Sequence, residues 1–258
     1  MSIIFELHKT SGKKVCPPNY VRKPNCPLIV RTTSEDLLTA NVFGILKNLN
    51  PTIWLGRFLG EAIKGKDFSR HTLENLSFEF WKKYRPPIGR KYREGISEVD
   101  VTVSYKDGVI FIEAKYLAPV SLTTTNDTRR DQVIRYLDLA AYHYLNHPDG
   151  VKGFYFILIV DTEKPPWILT RYRFPENISK GLTHSGLFGG ASGNTTAILS
   201  KGIGWLSWNR VKQILEVTKR HFRTQAERMF VEDLIVYLDY KIKEGERIRI
   251  ERKQMSFW

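Results

Sequence analysis

The sequence predicts an α/β fold in which a mixed central sheet is flanked by helices and followed by a helical C-terminal extension. Apolar and polar residues alternate on both sides of a Lys-Asp-Gly turn at 106–108, which is typical of a β-hairpin. Apolar residues at helical spacing lie before and after this hairpin. A near-continuous apolar run at 153–161 is typical of a strand that is buried on both faces.

Composition limits the classes of protein to which the chain belongs. It has 258 residues, of which 42% are hydrophobic, enough for a proper core. The net charge of +13 favours polyanions such as nucleic acid, although a generally basic surface is the alternative. We find no apolar run of about 18 residues and no apolar leader, so we expect no membrane span and a cytoplasmic location. Cys16 and Cys26 predict free thiols in a reducing compartment rather than a disulfide framework or a zinc site.

Local composition divides the chain into four segments. Residues 1–30 form a basic arm interrupted by prolines, and residues 31–178 form the α/β core. Residues 179–204 are rich in glycine, serine and threonine, so we expect a flexible flap or linker there. Residues 205–258 predict two helices, which either pack on the core or form a DNA-binding or dimerising extension.

The first helix is predicted from about residue 33 to 48, because Thr33 or Ser34 can cap it and an apolar stripe follows. Glu35 falls within that stripe. It indicates either a nearby metal centre or only a favourable charge in the first turn. A second helix is predicted at 51–64, and a first strand at 76–81.

The loop after this strand is basic and contains aromatic residues. Such a loop is suited to holding a phosphate backbone, and a solvated charged loop is the alternative. Its basic residues are Lys82, Lys83, Arg85, Arg90, Lys91 and Arg93.

The hairpin brings charged residues together at one end of one sheet face. Asp100 lies near the start of its first strand, and Glu113 and Lys115 lie near the end of the second, so the three become neighbours in an antiparallel pair. The alternating valines at 99–103 are expected on the opposite face. Two carboxylates and an ammonium group are costly to bury without partners. The cluster is therefore either a site for a cation such as Mg²⁺ or a surface salt bridge.

A third helix is predicted at 129–145, followed by the strand at 153–161 and a short strand at 167–172. Gln132 and Tyr136 lie four residues apart and share one face of the helix. They either belong to the site at the hairpin or are a surface glutamine and a packed tyrosine.

Asp100, followed by Glu-Ala-Lys at 113–115, resembles the signature of the PD-(D/E)XK, or restriction-endonuclease-like, nuclease superfamily. Val99 stands where the literal motif has proline, at a position that varies in the superfamily. The resemblance implies a core with a mixed sheet and a helix on each side.

Two flanking features extend the resemblance over residues 33–161. Gln132 and Tyr136 resemble the QxxxY motif of the RecB-like branch. The helix at 33–39 resembles the N-terminal helix that often contributes another acidic residue.

The resemblance implies a bound Mg²⁺ or Mn²⁺ ion. Asp100 and Glu113 would hold the ion, with the carbonyl of Ala114 as a further ligand and Glu35 as a candidate to complete the shell. Lys115 would position or activate the attacking water.

The same resemblance implies a Mg²⁺-dependent phosphodiesterase. Gln132 and Tyr136 would support the substrate or the catalytic lysine. We expect a DNA endonuclease of DNA defence, restriction or repair; the alternatives are an RNase and a non-catalytic nucleic-acid-binding protein on the same fold. DNA is the expected partner, with a homodimer or the partner proteins of a multi-component system as further possibilities.

Overall fold

Five strands form one mixed sheet in the computed structural model, which describes residues 34–64, 66–68, 73, 76–88, 94–123, 130–146, 150–184 and 193–255. The strands lie side by side in chain order: β1 (Ser77–Tyr84), β2 (Ser97–Tyr105), β3 (Gly108–Ala114), β4 (Gly153–Val160) and β5 (Ile203–Ser207). β2 is antiparallel to β1 and β3, whereas β3, β4 and β5 are parallel. Four strands therefore end at one edge of the sheet, at which β2 begins. We call it the carboxyl edge.

Helices cover both faces of this sheet. In the described ranges they are α1 (Glu35–Leu46), α2 (Pro51–Ala62), α3 (Gln132–Ala140), α4 (Trp167–Arg171), α5 (Pro175–His184), α6 (Gly193–Lys201), α7 (Trp208–Thr218) and α8 (Gln225–Met255). Helices α1, α2, α7 and α8 pack on one face, and α3 to α6 pack on the other. The prediction of an α/β protein with a mixed sheet flanked by helices is confirmed.

The predicted hairpin is formed by β2 and β3. Val101 lies opposite Ile112 and Val103 lies opposite Ile110, and all four are buried in the layer that contains α1 and α2. Phe111 is buried in the other layer, against α3. The period-two alternation of β3 thus supplies apolar side chains to both layers of the core.

Residues 167–172 form helix α4 and its C-terminal end, so the predicted short strand is wrong. Ile168, Leu169 and Tyr172 are buried in the same layer as α3. Their spacing places them on one face of a helical turn. An apolar run this short is compatible with either structure when only its sequence is considered.

The segment at 179–204, predicted as a flexible flap or linker, contains the end of α5, helix α6 and the start of β5. The glycines of this segment are the reason that a flexible flap or linker is predicted there. A Cβ atom at Gly202 would lie 2.1 Å from the carbonyl oxygen of Phe154, and one at Gly204 would lie 2.6 Å from that of Ala62. These glycines allow β4 and α2 to approach β5 closely, which no other residue would permit.

The C-terminal residues complete the core and do not form a separate extension. β5 pairs with β4, and α7 begins directly after it, with the Ser207 hydroxyl accepting a hydrogen bond of 2.9 Å from Arg210 N. Trp208 and Leu234 are buried in the layer that contains α1. The predicted boundary at residue 205 therefore falls inside a strand of the central sheet.

Ser34 caps α1, as predicted, by accepting a hydrogen bond of 3.1 Å from Leu37 N. The basic arm predicted at 1–30 lies outside the described residues. Among the helices of the described ranges, none is both long and apolar enough to cross a membrane.

Replacing Gly204 by alanine should lower the free energy of unfolding by about 1–3 kcal/mol, because the new Cβ must displace the backbone of α2. Urea denaturation followed by circular dichroism measures this change. Gly193→Ala is the control, since among the described residues no atom outside its chain neighbours and its own helix backbone lies within 4 Å of its Cβ position, and its effect should stay below about 0.5 kcal/mol. Equal stability of the two variants would contradict the close packing of α2 on β5.

Candidate active site

Six of the side chains singled out in the sequence meet at the carboxyl edge of the sheet. They come from two helices and the hairpin, which are far apart in the chain. They are Glu35 of α1, Asp100 of β2, Glu113 and Lys115 at the end of β3, and Gln132 and Tyr136 of α3.

Lys115 lies between two carboxylates. Its Nζ is 2.6 Å from Glu113 Oε1 and 3.1 Å from Glu35 Oε1. The other oxygen of Glu35 accepts a hydrogen bond of 2.9 Å from Tyr116 N. Glu35 reaches both groups from the first turn of α1, where the helix N-terminus favours a negative charge. Both oxygens of Glu35 are thus used to hold Lys115 and the backbone that follows it.

Gln132 and Tyr136 contact Glu113 rather than Lys115. Gln132 Nε2 donates to Glu113 Oε1 at 2.7 Å and to the Tyr136 hydroxyl at 3.1 Å. The Tyr136 hydroxyl in turn donates to the backbone carbonyl of Glu98 at 3.0 Å. Asp131 caps α3 and sets Gln132 in its first turn, facing the end of β3. The pair therefore fixes the Glu113 carboxylate against β2.

Asp100 lies where the pairing of β1 with β2 is interrupted. The ladder is continuous except opposite Trp81, whose φ of 50° is unusual for a residue other than glycine. Val99 consequently packs in the α3 layer and Val101 in the α1 layer, although strict alternation predicts one face for both. Asp100 Oδ2 accepts a hydrogen bond of 2.9 Å from Ala114 N. This contact holds the Asp100 carboxylate beside the end of β3.

Two residues outside the sequence prediction hold the backbone around Lys115. The indole Nε1 of Trp208 donates to the carbonyl of Lys115 at 3.0 Å. Leu117 N donates to Asp161 Oδ2 at 2.7 Å. Asp161 could have been predicted as a site residue, because it is a carboxylate at the end of a predicted buried strand. Trp208 could not have been, because β5 was not predicted.

Burial and charge shift the acid–base properties of the cluster. Burial lowers the pKa of Lys115, but the carboxylates of Glu113 and Glu35 outweigh this effect and raise the pKa above its ordinary value. Burial raises the pKa of Glu113, against the opposing effect of Lys115. Burial, and then the charge of Glu113, raise the pKa of Asp100. Lys115 is therefore a cation at neutral pH, whereas burial disfavours the charged forms of Asp100 and Glu113.

The oxygens of the cluster fit a divalent cation. Glu113 Oε2 is buried and has no hydrogen-bond partner within the described residues, which is costly for a carboxylate oxygen. The described ranges hold no group of three His, Cys, Asp or Glu residues arranged around a metal position. A cation here would thus depend on Asp100 and Glu113. Mg²⁺ is commonly held by one or two carboxylates, with water in its remaining positions, and Asp100 and Glu113 are donors of this kind.

Lys82 and Lys83 belong to the end of β1 and not to a loop as predicted, whereas Arg85 follows the end of β1, so all three lie at the same carboxyl edge. Lys82 turns to Glu79, with 2.5 Å between Nζ and Oε2, whereas Lys83 and Arg85 are exposed. The carbonyl of Arg85 is 2.8 Å from His143 Nε2. The other basic residues predicted to bind nucleic acid, Arg90, Lys91 and Arg93, lie outside the described residues.

Comparison of the chain with models of known protein families, with curated proteins and with solved structures found no match. The functional proposal below therefore rests on the residues of this chain.

In metal-free buffer, the free energy of unfolding should fall as pH rises from the ordinary pKa of an aspartate to the raised pKa of Asp100. In that range the folded state binds a proton that the unfolded state has lost, so ionisation of Asp100 opposes folding. Asp100→Asn should weaken this dependence and melt at a higher temperature than the wild type near pH 8.

Thermal melts with a chelator, recorded across this pH range, measure both effects. Glu163→Gln is the control, because Glu163 is exposed and carries the same charge. An Asp100→Asn protein that melts below the wild type at every pH would show that the carboxylate is net stabilising without a metal.

Proposed function

We propose that the chain is a metal-dependent nuclease that hydrolyses phosphodiester bonds, most simply as a DNA endonuclease. One observation carries the proposal. Buried Glu113, with one oxygen bound to Lys115 and the other without a partner in the described part of the chain, lies beside Asp100 at the end of a strand. Crowded acids next to a lysine are unfavourable for folding, and they are useful where a cation and a phosphate are bound. The resemblance to the PD-(D/E)XK signature rests on the same three residues.

Asp100 and Glu113 would hold Mg²⁺ or Mn²⁺, with the carbonyl of Ala114 as a further ligand. When bound, the ion would stabilise the negative charge that develops on the phosphodiester during in-line attack by water. Because both oxygens of Glu35 already have partners, we assign Glu35 to holding Lys115 rather than to the ion.

Lys115 acts as an ammonium group in this proposal. Its raised pKa makes it a poor base at neutral pH, so it orients the attacking water and stabilises charge on the phosphate oxygens. Glu35 and Glu113 fix its direction. Gln132 and Tyr136 act on Lys115 indirectly, since they hold the Glu113 carboxylate that pairs with it.

Nucleic acid is the substrate class that the charge of the chain supports. The net charge is +13, and the basic loop follows β1 at the edge where β3 ends. Neighbouring strands lie about 4.8 Å apart, so two spacings place the loop about 10 Å from the end of β3. A phosphate backbone that crosses this edge would contact both the loop and the Lys115 cluster.

A non-catalytic nucleic-acid-binding protein is the second candidate. It is favoured by the two contacts of Lys115, which balance much of the charge of Glu35 and Glu113 without any added ion. Titration calorimetry with Mn²⁺ separates the candidates, since a pure binder has no need of the ion. Binding of Mn²⁺ by the wild type but not by Asp100→Asn would favour the nuclease.

Lys115→Met and Asp100→Asn should each lower cleavage by at least about a hundredfold, because each removes a group needed in the transition state. Plasmid, linear duplex, single-stranded DNA and structured RNA, each with Mg²⁺, Mn²⁺, Ca²⁺ or a chelator, are the substrates to be tested. Lys180→Met, an exposed residue of α5, is the control that should remain active. Full activity of Asp100→Asn would refute the assignment, and degradation of RNA with intact plasmid would identify an RNase.

Binding to duplex DNA should weaken steeply with salt. The double variant Lys83→Ala, Arg85→Ala should lower the slope of log affinity against log salt by up to about 1.8, at about 0.9 per lost phosphate contact. The matched control is Lys106→Ala with Lys152→Ala, which removes the same charge at the opposite edge of the sheet. Equal slopes for the two double variants would show that the carboxyl edge does not face the DNA.

A further inference from the structure

A cavity of about 580 Å³ lies at the carboxyl edge, beside the backbone that leaves the Lys115 cluster. One wall is formed by residues 117–120, which begin two positions after Lys115. A second wall is formed by the residues after β4, including Pro165, Pro166 and Trp167. The volume lies within the range that small organic ligands occupy in proteins.

The first wall is held in place by side chains from distant parts of the chain. Leu117 has a φ of 61°, which residues other than glycine rarely adopt. Its N–H donates to Asp161, and its carbonyl accepts a hydrogen bond of 3.1 Å from Arg252. Arg249, which lines the cavity, donates to the carbonyl of Asp161 at 2.6 Å and also pairs with its carboxylate. The cavity is therefore a built feature and not a gap between loose loops.

The second wall contains Trp167, whose aromatic ring is not buried in the hydrophobic core. Trp167 is 61% exposed, although it begins a helical turn whose next two residues, Ile168 and Leu169, are buried. Pro165 and Pro166 precede it and restrict the backbone. The buried Ile168 and Leu169 and the two prolines thus fix the position of the indole where it lines the cavity.

The chemistry of the walls favours a flat heterocycle. Val120 and Pro119 contribute apolar side chains, Trp167 contributes an aromatic ring and Lys164 supplies positive charge, whereas the charge of Arg249 is balanced by Asp161. Every nucleobase has a flat face that can stack on an indole, and stacking requires no particular base. The base next to a phosphate bound at Lys115 would lie close to this cavity, because its wall starts two residues further along the chain.

We propose that this cavity binds an unstacked nucleobase of the substrate beside the phosphodiester that is cut, with Trp167 stacking on the base. The inference rests on the proposed function, since it places the reacting phosphate at Lys115. A base in an intact duplex must first leave its stack, which opposes binding. The protein therefore prefers single-stranded, mismatched or flapped DNA over a fully paired duplex.

Metal-free binding to short labelled strands tests the proposal by fluorescence anisotropy. Trp167→Ala should weaken binding of a single strand roughly tenfold, whereas Trp167→Phe, which keeps an aromatic face, should stay within about threefold of the wild type. Phe174→Ala is the control, because Phe174 is an exposed aromatic residue that does not line the cavity. A strand of the same length that consists of abasic sites should bind the wild type and Trp167→Ala equally well.

Two results would overturn the proposal. One is equal binding of the base-bearing strand by the wild type and Trp167→Ala. The other is an equal loss on base-bearing and abasic strands, which would mean that Trp167 acts through the fold or the backbone. Either result together with metal-dependent cleavage would remove this inference and leave the nuclease proposal standing. Base-dependent binding through Trp167 without metal-dependent cleavage would remove the nuclease proposal, and with it the position of the base beside a cut phosphodiester.

Discussion

The charge of the buried Glu113 carboxylate is the constraint on which the site depends. An isolated carboxylate in this position would be severely destabilising, and the neighbours of Glu113 are arranged to compensate for it. Lys115 supplies positive charge to one oxygen, and Gln132 supplies a hydrogen bond to the same atom. The other oxygen has no hydrogen-bond partner within the described part of the chain. The proposed function assigns this oxygen to a bound cation.

The topology of the sheet explains how such a cluster can be placed accurately. Because β1, β3, β4 and β5 end together, the segments that follow them all meet at the carboxyl edge. Trp208 after β5 and Asp161 after β4 bind the backbone on either side of Tyr116. The position of Lys115 is therefore set by hydrogen bonds from neighbouring strand ends as well as by its own ion pairs.

Features with a strong local pattern were predictable from the sequence, and features set by distant contacts were not. The hairpin and the shared location of Asp100, Glu113 and Lys115 follow from period-two alternation around a turn. β5 was missed because Gly202 and Gly204 indicate a loop in isolation, whereas here they permit close backbone approach. Val99 and Val101 pack in opposite layers because of the distortion at Trp81 in the neighbouring strand β1. The sequence of β2 alone does not reveal this distortion.

The hydrogen bond from Trp208 to Lys115 can form only late in the synthesis of the chain, because Trp208 follows the whole cluster in the sequence. All six side chains of the cluster have been synthesised once the ribosome has passed residue 136, yet β4, β5 and Trp208 come later. Until then β3 lacks a neighbour on one side, and the carbonyl of Lys115 lacks its indole partner. Arg249 and Arg252, which bind Asp161 and Leu117, emerge later still. A nascent or truncated chain thus carries the six side chains without the later contacts that arrange them.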